Sequence, residues 1–178
     1  MATLSDKEII AVIEEMTSHR AWIINSFSQI ECRLGDLIVQ CERFGEYEKL
    51  NKLQLPMGSG KRVERVRELM KSGPLAEHAV ALDRVLTRFM EFEELRHMMT
   101  HGYAALHHTP AGDIGMTFIR FVPPQKGGRA TQDRSFYRPD TMRRQRESST
   151  SFGEEAMGTL RKVYEAVGLD PDLLAKLT

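Results

Sequence analysis

Glu94-Leu95-Arg96-His97-Met98-Met99-Thr100-His101-Gly102-Tyr103 gathers an arginine, two histidines and a tyrosine into one short stretch. Histidine titrates near neutral pH and exchanges protons as either base or acid. Arginine keeps its charge and offers a planar fork of donors that matches two phosphate oxygens. Side chains of these types suit metal-independent cleavage of RNA. A base takes the 2′-hydroxyl proton, an acid protonates the leaving oxygen, and a cation steadies the charge on the phosphate. Leu75, Leu82, Phe89, Arg96 and Tyr103 recur every seven residues. That spacing places Arg96 on the core-facing side of a helix, where a cation is costly unless it is paired or takes part in chemistry.

On a straight helix Arg96 and His101 stand ~140° apart. Both reach one phosphate only if the helix ends or bends near Thr100–Gly102. His97 lies one turn before His101 on the same face, which suits an orienting or phosphate-contacting part. A plainer alternative has Arg96 near a helix C-terminus, where cations are favoured, paired with Glu93, with both histidines solvated. Zinc chemistry of the His-Glu-x-x-His kind fails at Met98, which stands where the glutamate is needed. Glu94-x-x-His97 has no second copy to build a di-iron site. No metal and no cofactor is therefore expected. Gly58-Ser59-Gly60-Lys61 lacks both the frame and the preceding strand of a phosphate loop.

The elements that must hold these residues follow from periodicity. Ser5-Asp6-Lys7-Glu8 has the form of a capping box, and an apolar pattern with steps of three and four predicts one long helix, or two collinear ones, over residues 5–45. Pro56–Gly60 breaks it, and a short helix follows over about 61–71. Gly73-Pro74 ends that helix and opens a third over about 74–100. His107–Asp113 reads as a loop, Met116–Val122 and Arg134–Tyr137 as paired strands joined by a Pro- and Gly-rich link. A last helix is expected from Pro139 to Val167, with Gly168 at its C-cap. The fold class is mainly α: an up-and-down bundle of four to five helices with a small β-hairpin inserted at about 114–137, in a single domain over 1–178.

Composition narrows the partners. The chain has 178 residues, 41% apolar and 28% charged, with a formal net charge of zero, so its overall field gives no reason to expect general affinity for nucleic acid or membranes. One local exception exists. Residues 120–146 carry eight cationic side chains, among them Arg134, Arg138, Arg143 and Arg144, against Asp133 and Asp140, a net of +6. Phe121, Phe136 and Tyr137 are interleaved with them, a mixture able to hold RNA through phosphates and stacking. No apolar run approaches the roughly 20 residues a membrane span needs. The amino terminus lacks the basic and apolar regions of a secretory signal. Cys32 and Cys41 fall ~13 Å apart on one helix, too far to bridge. A cytoplasmic protein with two reduced thiols is expected.

Arg96-His97-Met98-Met99-Thr100-His101 resembles the Arg-polar-x3-His signature of HEPN domains, helical bundles common in prokaryotic defence and toxin–antitoxin systems. His101-Gly102-Tyr103 extends it to the Arg-x4-His-x-Tyr form of a toxin subgroup. Phe27-Ser28-Gln29-Ile30-Glu31 is similar to the Phe-x2-hydrophobic-Glu run of many such domains, and Gly58–Leu69 resembles their basic second helix. The likeness covers the helical part of the chain; the hairpin is not part of the minimal bundle. It implies a homodimer whose two motifs meet in one site, with Arg96 and His101 catalytic and His97 and Tyr103 shaping the pocket. It further implies RNA as substrate, an antitoxin as a second partner, and Tyr103 as a residue that a partner nucleotidyltransferase modifies. Two activities fit the resemblance: a metal-independent endoribonuclease, or a non-catalytic module that binds a nucleotide or a protein.

Overall fold

The computed structural model describes residues 5–47, 55–108, 114–124 and 128–172. Within them the chain is mainly α. In chain order it forms α1 (Asp6–Cys41), a 3-10 turn (Gly45–Tyr47), α2 (Ser59–Leu69), a second 3-10 turn (Gly73–His78), α3 (Ala79–Glu91) and α4 (Glu93–His101). The strands β1 (Tyr103–His108), β2 (Ile114–Val122) and β3 (Thr131–Tyr137) follow, and α5 (Pro139–Ala166) comes last. Residues 109–113 of the expected loop and 125–127 of the expected link, Lys126 included, lie outside the described residues.

Local signals set the start of α1 and the end of α5. Ser5 and Glu8 close the capping box: the Glu8 carboxylate accepts from the Ser5 amide at 2.8 Å and its hydroxyl at 2.7 Å, which satisfies donors the helix leaves open. At the far end of α5, Gly168 adopts φ +70. The Leu169 amide then bonds back to the Tyr164 carbonyl at 2.8 Å, the closing bond of a Schellman cap.

Two expectations change in detail. The helix expected over 74–100 is interrupted. A 3-10 turn opens it, and Phe92 leaves the helical ladder between α3 and α4 with φ −87 and ψ 5. The Phe92 ring is taken up in an aromatic cluster, 5.3 Å from Phe27 and 5.5 Å from Phe152. The seven-residue seam from Leu75 to Tyr103 is therefore not one continuous helical face. The hairpin, in turn, is a three-stranded antiparallel sheet in the order β1-β2-β3. Its extra strand begins at Tyr103 and takes in His107 and His108, which the sequence pattern places in a loop.

The chain divides into two compact units, residues 1–26 with 93–151 and residues 27–92 with 152–178. The second is a helical unit around Phe27, Leu34, Leu82, Leu86, Phe89 and Leu160, all buried. Its polar centre is Tyr164, whose hydroxyl lies 2.9 Å from both the Asp36 carboxylate and the Arg33 carbonyl. Cys41 is buried and free, and burial pushes its thiol up to about 12. Cys32 is exposed and free. Among the described residues no helix is long and apolar enough to cross a membrane.

The first unit holds the N-terminal part of α1, α4, the sheet and the start of α5. Met16, Ile23, Met98, Met99, Met116, Phe118 and Met142 are its buried apolar side chains. Strand register sorts the sheet into two faces. Phe118 pairs with Ala104 and Ser135 on the packed face, and Ile119 pairs with Tyr103 and Arg134 on the open one. Arg120, on the packed face, bonds to Glu94 of α4 at 2.8 Å and to Asp133 of β3 at 2.7 Å. The sheet and α4 are thereby tied by charge as well as by packing.

Candidate functional site

The site is built on the closing turns of α4. Arg96 is buried, 7% exposed, and its guanidinium lies 3.9 Å from the Glu93 carboxylate. His97 stands 4.0 Å from the same carboxylate, so Glu93 faces both side chains of that turn. The His97 and His101 rings lie 6.1 Å apart, the contact expected of side chains one turn apart. His101 is exposed. Arg96 and His101 thus take different faces of α4, in keeping with the ~140° between them. His97 and His101 are the two that come together.

Electrostatics act on His97 as well. Burial, then the adjacent Arg96 charge, hold the His97 imidazole below its ordinary value of 6.5, while Glu93 works in the opposite direction. Neutral His97 is the form that accepts a proton or a hydrogen bond. A stability consequence follows with a definite sign. The unfolded chain binds this proton more readily, so the contribution of His97 is present above about pH 6.5 and is lost as pH falls below it. His97→Gln should flatten the fall in Tm between neutral and mildly acidic pH; an unchanged slope in thermal melts would contradict this placement.

α4 ends at His101, within the stretch Thr100–Gly102. The Gly102 amide bonds to the Met98 carbonyl at 2.9 Å, and β1 starts at the next residue. A Cβ on Gly102 would fall 2.3 Å from the Met98 carbonyl oxygen, so no other residue fits this junction without movement. Gly102→Ala is expected to cost about 1–3 kcal/mol through that clash, read as a lowered denaturation midpoint.

Arg20 of α1 completes the junction, and nothing in its local sequence reveals that role. Its Nε donates to the Met99 carbonyl at 2.7 Å and its Nη2 to the Gly102 carbonyl at 3.0 Å. Its guanidinium also lies 5.4 Å from the centre of the Phe118 ring. It neutralises the negative end of α4. The only hint in the sequence is an arginine on the apolar seam of α1, between Met16 and Ile23.

The basic stretch is scattered by the fold. Arg143 pairs with Glu15 at 2.6 Å, and Glu15 also meets the buried His19 at 3.3 Å. Arg144 pairs with Asp140 at 2.9 Å. Arg146 lies over the Trp22 ring at 5.6 Å. Arg138 caps the start of α5 through its backbone, its carbonyl accepting from the Met142 amide at 2.9 Å. Arg134 is different: its two bonds, at 2.9 and 2.7 Å, go to the neutral Gln132 amide. It stays on the open sheet face, across Ile119 from Tyr103, and Tyr103 is 70% exposed. Among the described residues no cluster of three or more histidine, cysteine or acidic side chains is arranged to hold a metal ion.

Compared with known proteins, the chain matches no family model, no curated protein and no solved structure.

Proposed function

We propose that the chain is a HEPN-like, cytoplasmic homodimer that cuts RNA without a metal, at a composite site formed by the α4 ends of two copies. The observation that carries this reading is the way α4 finishes. A buried arginine, a histidine whose surroundings favour its neutral form, and an exposed histidine occupy its closing turns. The chain then passes through Gly102 directly onto the open sheet face of Tyr103 and Arg134.

His101 exchanges the proton with the 2′-hydroxyl or the leaving oxygen. Arg96 provides the cation for the phosphate, and His97 and Tyr103 shape the pocket. One copy carries a single such set, and the second copy supplies the other proton-transfer group. Arg134 and Arg138 hold the strand; Arg143 and Arg144 reach a phosphate only by leaving Glu15 and Asp140. Exposed Tyr103 is the natural point for an antitoxin to cover or modify, in a toxin–antitoxin or defence setting.

The test is purified protein with mixed RNA and excess chelator. Cleavage that persists with chelator and disappears in Arg96→Ala, from a protein that sediments as a dimer, supports the proposal. Cleavage that stops on chelation removes it. The burial of Arg96 against Glu93 favours a second reading, a non-catalytic module that binds a nucleotide or protein through the same pocket. Tight nucleotide binding with no cleavage is its signature.

A further inference from the structure

We infer that the open face of the β-sheet is a stacking platform for single-stranded RNA, with the aromatic rings of Tyr103, Phe121 and Phe136 holding bases and Arg134 meeting the backbone. The choice of RNA rests on the proposed function; the platform itself is carried by its own geometry.

Three aromatic side chains, one from each strand, project from one side of the sheet. Their exposures are 70% for Tyr103, 75% for Phe121 and 41% for Phe136. Solvent normally finds such residues singly, and three on one small face mark an interaction surface. Tyr103 and Phe121 stand about 8 Å apart, one strand across and two residues along. That exceeds the ~3.4 Å step of a stacked strand, so each ring takes its own base from an extended chain. Phe136 has been given room to lie flat. A Cβ on Gly115 would meet its ring at 2.8 Å, so the ring rests on bare β2 backbone, and it reaches His107 of β1 at 5.4 Å.

Charge selects the occupant. In a chain with 25 acidic residues, the described residues of this face include none. Asp133, the acidic residue of β3, alternates to the packed side and is held by Arg120. Arg134 bonds to the neutral Gln132 amide and not to a carboxylate. Aromatic rings beside an arginine, with no carboxylate among them, are complementary to a single-stranded polyanion. A duplex offers its bases to no such surface.

The measurement is fluorescence anisotropy with a labelled 12-nucleotide U-rich RNA, 2′-O-methylated so that it cannot be cut. Matched single-stranded DNA, duplex RNA and anionic phospholipid vesicles serve as comparison arms. The single strand should bind best. Phe121→Ala and Phe136→Ala should each weaken binding roughly five- to a hundredfold, and Phe121→Trp should retain it. Arg134→Gln should weaken binding and reduce the slope of log affinity against log salt by about 1. Tighter binding of the duplex or the vesicles, or no binding at all, overturns the platform. So does wild-type affinity in both alanine variants, or self-association through Phe121 and Phe136 in place of RNA binding. The two proposals fail separately. A strand bound through Phe121 and Phe136 but never cut leaves the platform and removes the nuclease. RNA cut and bound equally well by both variants does the reverse.

Discussion

His101→Ala should lower the rate of chelator-resistant RNA cleavage by about 10²–10⁴-fold, the usual contribution of a positioned acid or base, with the fold left standing. The side chain is exposed and closes α4, so its removal leaves no cavity. The assay pairs cleavage rates in excess chelator with a thermal melt of the same sample. An unchanged melt with lost activity assigns His101 to the chemistry. A wild-type rate removes it from the site and takes the nuclease proposal with it. Arg96→Lys is the informative companion. Lysine keeps the charge and loses the planar fork, so activity should drop by more than stability, whereas Arg96→Ala also leaves Glu93 without its buried neighbour and lowers both.

The second large effect belongs to Arg20. Arg20→Met should cost about 2–3 kcal/mol, because two charge-assisted hydrogen bonds to carbonyls at the α4 end are lost together. Methionine keeps much of the contact with Phe118, so the loss reports on the hydrogen bonds. For a chain of this length that corresponds to a fall in Tm of roughly 5–10 °C. Cleavage should fall as well, since Met99 and Gly102, the residues Arg20 holds, flank His101. A Tm within a degree of wild type would mean that Arg20 does not anchor this end of α4.

Legibility in the sequence followed the range of the interactions involved. The Ser5–Glu8 box and the Gly168 cap were readable because each is made by residues a few positions apart. The burial of Arg96 was readable from the apolar seam, although the seam itself breaks at Phe92, whose ring is drawn into a cluster with Phe27 and Phe152. β1 was not readable. His107 and His108 read with the loop that runs to Asp113, and the extended state of Tyr103–His108 depends on pairing with Ile114–Ile119. Arg20 was unreadable as an anchor, because its partners lie 79 and 82 positions away.

By itself, then, the sequence determined the helical segments, the caps that open α1 and close α5, and the chemical inventory of the α4 end, since helical hydrogen bonds and side-chain spacing act within a turn or two. Tertiary structure decided how that inventory is deployed. It paired Arg143 with Glu15 across 128 positions, left Arg134 to an amide, and set Tyr103, Phe121 and Phe136 on a single open face. Cross-strand register and long-range ion pairs are properties of the folded chain, and no local stretch of residues encodes them.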